Sequence, residues 1–220
     1  MDNPPDPKDL RKIRRRLLAW FGANRRSFPW RKTRNPWRIL VAEVLLRQTG
    51  AAKVAPVYRV FMKRWRTPKC LLRAREQDVR RLIQPLGLHY RAAQIMAIAQ
   101  DVVSRFGGRV PATEEELLSI KGVGDYTASA ILCHAYGKRT PTVDANIIRL
   151  VKRLNGLASP VSKLYADRNV KYLARRMLPR MNAGAFNYAL LDFCALVCRF
   201  YRPACRSCPI SGLCELRPNL

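Results

Sequence analysis

Two carboxylates stand almost alone in long stretches of this sequence. Glu43 is the only acidic residue between positions 10 and 75, and Asp144 is the only one between positions 126 and 166. Glu43 has apolar neighbours, where a carboxylate is either paired with a base or kept for chemistry. Asp144 lies at a predicted helix start, where the helix dipole favours its ionised form. Either acid alone could be structural, as a buried ion pair or a helix cap. The two together, in a chain that also has a predicted phosphate-binding segment, favour a role in chemistry over a purely structural one.

Four of the seven cysteines crowd together near the end of the sequence. The spacing Cys198-x6-Cys205-x2-Cys208-x5-Cys214 places four thiols on one compact loop, which could hold either zinc or an iron–sulfur cluster. The odd total and the clustering disfavour a secreted disulfide framework and indicate a reducing compartment. Cys194 comes one helical turn earlier on an apolar helix, and we interpret it as a core residue rather than a fifth ligand.

A pair of glycines lies between two predicted helices at residues 114–137. Thr113 and Glu116 have the spacing of a capping box, which predicts a helix start. Gly122 and Gly124 allow a sharp turn whose N–H groups, together with the start of the next helix, could bind a DNA phosphate. We interpret the segment as a helix–hairpin–helix.

The charge balance predicts a polyanionic partner. The chain has 220 residues, with 42 Lys and Arg against 15 Asp and Glu, which gives a net charge of +27. Nucleic acid is the usual partner of so basic a domain, and a membrane surface is the weaker alternative. The hydrophobic share of 48% excludes a disordered basic tail. We expect no transmembrane helix and no secretory signal. We also expect a cytoplasmic, nucleoid-associated protein that is a monomer.

Apolar residues recur with a helical period through most of the sequence, and no segment has a convincing strand pattern. The fold class predicted is therefore all-α. The predicted helices lie at about 13–21, 37–48, 51–65, 71–86 (in shorter pieces), 90–106, 113–119, 126–136, 143–154, 162–178 and 183–198.

These features together resemble the helix–hairpin–helix DNA glycosylases of the endonuclease III and MutY superfamily. The resemblance rests on the hairpin, the segment Val143-Asp144-Ala145-Asn146 some twenty residues later, and the four-cysteine loop. It implies that the four cysteines hold a [4Fe–4S] cluster. It also implies a two-lobed fold with a cleft that holds Glu43, Tyr126 and Asp144. The barrel lobe of six helices would span residues 28–138, and the second lobe would combine 1–27 with 139–220.

The branch of the superfamily depends on two positions. Bifunctional members have a lysine two residues after the second hairpin glycine; Tyr126 stands there, which implies a monofunctional glycosylase. Adenine glycosylases share a motif like that around Glu43. They usually have serine at the Tyr126 position and a further C-terminal domain, whereas this sequence ends six residues after Cys214. The mismatch thymine glycosylases combine the glutamate with a Gly-Val-Gly-x-Tyr-Thr hairpin, and this sequence is most similar to them.

The resemblance implies excision of thymine or uracil opposite guanine from flipped nucleotides. Asp144 would stabilise the oxocarbenium-like sugar and help deliver water, and Glu43 would hydrogen-bond or protonate the base. Tyr126 would shape the pocket or hydrogen-bond the edge of the pyrimidine. The expected DNA-binding residues are Gln48 and Leu86 as gap-filling or wedge residues, Lys121, Gly122 and Gly124 in the hairpin, Asn146 beside Asp144, and Arg199, Arg202 and Arg206 in the cysteine loop.

Two departures and two alternatives accompany this prediction. Lys121 stands where proline is common, and Asp125 stands where a basic residue is common, which would weaken the phosphate contact. An adenine glycosylase without its 8-oxoguanine-recognition domain is the nearest alternative. A catalytically silent iron–sulfur DNA-binding protein is the other.

Overall fold

The computed structural model describes residues 7–87, 90–157 and 168–216, and these residues contain helices and no strand. The predicted all-α class is therefore confirmed. Contacts divide the chain into two units. One unit contains the described residues of Met1–Arg26 and Arg139–Leu220, and the other is Ser27–Lys138. No described helix is both long and apolar enough to cross a membrane.

The Ser27–Lys138 unit is built from seven α-helices among its described residues. They are α2 (Pro36–Leu46), α3 (Ala51–Arg64), α4 (Pro68–Leu71), α5 (Glu76–Ile83), α6 (Arg91–Phe106), α7 (Glu114–Leu118) and α8 (Asp125–His134). Short 3-10 turns at Pro29–Lys32 and Gln84–Leu86 complete the unit.

Helix α2 lies at the centre of this unit because it is apolar on nearly every face. All residues from Ile39 to Leu45 are buried, and α2 packs against α3, α6 and α8. A helix buried all round lets a single polar side chain be held in a defined, dry position. That side chain is Glu43, which is only 8% exposed.

The other unit contains four described α-helices and two short 3-10 turns. The helices are α1 (Pro7–Asn24), α9 (Ala145–Leu154), α10 (Arg168–Met177) and α11 (Ala183–Leu196). Helix α1 packs along α11, where the Trp20 and Phe193 rings meet edge to face at 5.6 Å. The end of α1 is fixed by Arg26, whose backbone N–H and guanidinium both donate to the fully buried Asp192 carboxylate, at 2.9 and 2.6 Å.

Most predicted helices agree with the structure to within a few residues. The helix start predicted from the Thr113–Glu116 spacing is confirmed: the Thr113 hydroxyl accepts from the Glu116 N–H at 3.3 Å and donates to the Glu116 carboxylate at 2.6 Å. The helix predicted at 90–106 is α6, and it ends at Gly107, whose φ of 62° is the left-handed conformation of a helix C-terminus. Of the helix predicted at 162–178, the part before residue 168 lies outside the described residues.

Candidate active site

Asp144 is the N-terminal cap of α9. Its Oδ1 accepts from the backbone N–H groups of Asn146, at 2.9 Å, and Ile147, at 2.8 Å, and its Oδ2 accepts from the Asn146 amide at 2.8 Å. Three N–H donors at the positive end of a helix complement a negative charge. The side chain is half-buried. Asp144 thus presents a carboxylate of fixed orientation.

A buried arginine that sequence reasoning missed fixes the Asn146 side chain, which in turn donates to the Asp144 carboxylate. Arg149 is 7% exposed, and its Nη1 donates to the Asn146 Oδ1 at 2.9 Å. Its Nη2 donates to the backbone carbonyl of Cys198 at 2.9 Å. This chain of contacts joins Asp144 through Asn146 to the first cysteine of the loop. The sequence offers one signal for this role of Arg149: it follows Asn146 by three residues in α9, and residues with that spacing share a helix face.

Glu43 lies in the other unit, in the middle of α2. Arg47 follows one turn later and ends the helix. Burial lowers the pKa of the Arg47 guanidinium, and the charges of Tyr90 and Glu43 partly offset that effect. Arg47 also binds the hairpin: its Nη2 donates to the Gly122 carbonyl at 2.6 Å and to the Thr127 hydroxyl at 3.2 Å. The helix that carries Glu43 is therefore joined to the hairpin.

The hairpin requires glycine at position 122. Its φ is 94°, and a Cβ there would lie 2.8 Å from the Gln94 amide nitrogen. Lys121 and Gly124 are exposed, and Tyr126 is half-buried in the first turn of α8. Together with Arg47, the residues from Gly122 to Thr127 line an open depression of this unit.

Gln48 projects from a strained turn after α2. It is exposed and has a φ of 52°, which is uncommon for a residue with a Cβ. The fully buried Arg91 holds this turn: its guanidinium donates to the Leu45 carbonyl at 2.9 Å, to the Arg47 carbonyl, and to the Thr49 hydroxyl at 2.8 Å. Sequence reasoning missed Arg91, which looked like one more surface base.

The wedge role expected of Leu86 does not agree with its position. Leu86 is only 5% exposed and belongs to the hydrophobic core of the Ser27–Lys138 unit. An apolar side chain in a core is held there by the loss of its contact with water, so inserting it between DNA strands would require it to leave the core. Its carbonyl accepts from the Thr49 hydroxyl at 3.4 Å, which gives Leu86 a structural role in the turn that bears Gln48.

The four clustered cysteines line one cavity of about 120 Å³. Its other walls are largely apolar and include Phe193 and Ile210. Arg153 donates to the Cys198 Sγ at 3.3 Å, and burial raises the pKa of Cys208 to about 11. Among the described residues, no three His, Cys, Asp or Glu side chains form a ready-made group for a metal ion.

Neither Cys194 nor the three arginines of the cysteine loop line this cavity. Burial raises the pKa of Cys194 well above its usual range, and its thiol donates to the Asn146 carbonyl at 3.4 Å. Cys194 is not part of the cavity lining. Arg199, Arg202 and Arg206 are all exposed.

The candidate residues are divided between the two units. Glu43, Gln48, Lys121, the hairpin glycines and Tyr126 belong to Ser27–Lys138, where Arg47 joins the end of α2 to Gly122 of the hairpin. Asp144, Asn146, the four cysteines and the loop arginines belong to the other unit, where Arg149 connects Asn146 to the cysteine loop.

Comparison with known proteins gives consistent matches. Residues 41–175 match the model of the HhH-GPD superfamily base excision DNA repair protein. The thymine-DNA glycosylase of Aeropyrum pernix is 40% identical over 95% of this chain and 96% of its own length. The adenine DNA glycosylase of Rattus norvegicus is 34% identical over 96% of this chain but only 42% of its own length. The solved structure of a thermostable thymine-DNA glycosylase matches with a TM-score of 0.89 and 34% identity, over 96% of this chain and 97% of the other.

Proposed function

This chain belongs to the HhH-GPD superfamily of base excision DNA repair proteins, and we propose that it is a monofunctional glycosylase that removes thymine or uracil paired with guanine. The observation that carries the hydrolytic assignment is the Asp144 carboxylate, fixed at the start of α9 by three N–H donors. The substrate class rests on the similarity to thymine-DNA glycosylases along nearly their whole length.

In the proposed reaction, Asp144 and Glu43 act on opposite ends of the breaking bond. The bond between C1′ and the base nitrogen breaks, and its electron pair leaves with the base. Glu43, in its apolar surroundings, hydrogen-bonds or protonates the departing base. Asp144 stabilises the positive charge on the sugar, and it accepts the proton of the water whose oxygen bonds to C1′. Tyr126 shapes the space for the base.

In this proposal, the protein binds phosphates of the DNA backbone, and one side chain fills the gap that the flipped nucleotide leaves in the duplex. Gly122 and Gly124, with Lys121, offer a phosphate site at the start of α8. Gln48 is exposed on a turn held rigidly by Arg91, which suits a side chain that fills the space of a flipped nucleotide. Asn146 acts indirectly, by orienting Asp144. The loop arginines bind further phosphates, and the protein acts as a monomer.

We also propose that the cysteine loop holds a [4Fe–4S] cluster. A single zinc ion about 2.3 Å from each of four sulfurs would bring those sulfurs to roughly 3.8 Å from one another. The described side chains include no such group, although all four cysteines line the same cavity. Four cysteine thiolates are the ligands of a [4Fe–4S] cluster, so thiols spread around one cavity would suit it. When bound, the cluster ties four points of the loop to the fold.

A panel of mispaired duplexes tests the substrate. The protein is incubated with duplexes that contain G·T, G·U, A·8-oxoguanine or hypoxanthine pairs, and abasic sites are then cleaved with alkali. We expect product from G·T and G·U only, because the similarity to thymine-DNA glycosylases extends over nearly their whole length. Cleavage of A·8-oxoguanine alone would favour an adenine glycosylase, the second candidate, which also resembles this chain. No product from any duplex would favour a silent DNA-binding protein.

A Tyr126→Lys variant tests the monofunctional assignment. Lysine in the first turn of α8 would place an amine at the position that bifunctional relatives use as the nucleophile. We expect borohydride to trap a covalent complex of this variant with a G·U duplex, whereas the wild type gives none. Tyr172→Lys, at an exposed tyrosine of α10, is the matched control. A folded variant that binds DNA without any trapped complex would contradict the assignment.

A further inference from the structure

Two neighbouring aromatic residues of the cysteine loop, residues 198–214, are exposed to solvent. Phe200 is 80% exposed and Tyr201 is 71% exposed. Among the large hydrophobic side chains that the structure describes, only Met181 reaches similar exposure, at 79%. Single exposed apolar residues are common, but two adjacent rings form a surface that is unfavourable in water. Such a pair indicates a contact surface.

The backbone beneath these rings is held in place by hydrogen bonds. Arg153 donates to the carbonyls of Arg199, at 2.8 Å, and Phe200, at 3.3 Å. The Arg199 guanidinium donates to the Arg202 carbonyl at 2.9 Å, and the Ala204 N–H donates to the Val197 carbonyl at the same distance. The rings are therefore carried by an ordered turn, and an ordered turn loses little conformational entropy when it binds a partner.

The charge around the rings identifies the chemistry of the partner. The loop contains three exposed arginines, and its sequence from 198 to 214 contains no acidic residue. The Arg202 guanidinium lies over the Tyr201 ring, 5.1 Å from its centre, and Arg202 has a strained φ of 46°. Aromatic faces alternating with guanidinium groups are typical of surfaces that stack on bases while they neutralise phosphates.

We propose that Phe200 and Tyr201 form an aromatic DNA contact that packs against unstacked bases, while the neighbouring arginines bind phosphates. This inference rests on the proposed function only in taking DNA as the ligand. The two rings hold the DNA and do not touch the reacting atoms. Their removal therefore lowers affinity and leaves the rate of base release from saturated enzyme unchanged.

The test measures affinity and its dependence on salt. The holoprotein is titrated into a labelled duplex with a stable abasic analogue opposite guanine, and fluorescence anisotropy is followed from about 50 to 200 mM salt. The F200A/Y201A double variant is expected to bind about tenfold or more weakly with an unchanged salt slope, because stacking is lost and no charge is removed. R206A is expected to lower the slope by about one.

Tyr172→Ala is the matched control, because Tyr172 is another exposed tyrosine with an arginine over its ring. It should bind like the wild type. Wild-type affinity of the double variant would overturn the proposal, as would a loss of salt slope equal to that of R206A. A wild-type dimer that the double variant converts to a monomer in light scattering would also overturn it. If no mispaired duplex yields product but the affinity results hold, only the proposed function fails.

Discussion

An Asp144→Asn variant is expected to lose base excision by about 10²–10³-fold while it still binds DNA, since one electrostatic group can account for a factor of that size. Asparagine is also a good helix cap, so its side-chain oxygen can still accept from the Asn146 and Ile147 N–H groups. The fold and α9 should therefore persist. The variant loses the negative charge that stabilises the sugar and the base that accepts the proton of water.

The structure also predicts a small cost of stability for this variant. Arg149 donates to the Asn146 Oδ1, which fixes that amide with its nitrogen towards Asp144. In the variant, the new amide nitrogen at position 144 would face the Asn146 amide nitrogen, which is also a donor. One hydrogen bond is therefore lost, at a cost of about 1 kcal/mol. For a chain of this size that corresponds to about 2–4 °C in Tm.

The rate of excision is measured as single-turnover release of thymine from a G·T duplex, and DNA binding is measured by fluorescence anisotropy with the same duplex. Asp101→Asn is the matched control, because Asp101 is a surface acid whose partner Arg105 lies 3.8 Å away. It should retain the wild-type rate. An Asp144→Asn rate within tenfold of the wild type would remove Asp144 from the chemistry.

Sequence patterns predicted the helices and the local caps because these depend on neighbours a few residues away. The N-terminal caps at Thr113 and Asp144 each involve partners within three residues. Glu43 stood out because a carboxylate in an apolar segment is rare, and burial of that segment followed from its composition.

The supporting arginines could not be predicted, because their partners are distant backbone carbonyls. Arg91 donates to the carbonyl of Leu45, 46 residues earlier, and Arg149 donates to that of Cys198, 49 residues later. Every residue has a backbone carbonyl, so the sequence does not show which carbonyl accepts from a side chain. In a chain with 42 basic residues, these two arginines therefore look like surface charges. The wedge role expected of Leu86 rests on its match to a family position, whereas only packing shows that Leu86 lies in the core.

A Cys208→Ser variant is expected to prevent assembly of the proposed [4Fe–4S] cluster and to lower the stability of the protein. The four cysteines line one cavity, and a group bound there joins α9 and the end of α11 to the loop. Metal binding by a site that forms only in the folded state contributes directly to folding free energy. Because each kcal/mol lost lowers the Tm of a chain of this size by about 2–4 °C, the loss should be visible as a clear fall in Tm. The broad absorbance near roughly 400 nm expected of thiolate-bound iron should be lost as well.

Two cysteine controls separate a ligand from a buried thiol. Cys70→Ser changes an exposed cysteine of the other unit and should alter neither absorbance nor Tm. Cys194→Ser should keep the absorbance and the iron content, because a serine hydroxyl can still donate to the Asn146 carbonyl and Cys194 does not line the cavity. Loss of iron in Cys194→Ser together with full iron in Cys208→Ser would overturn the ligand set. Zinc in place of iron in the purified wild type would overturn the cluster but keep the four ligands, because the same thiols can hold either.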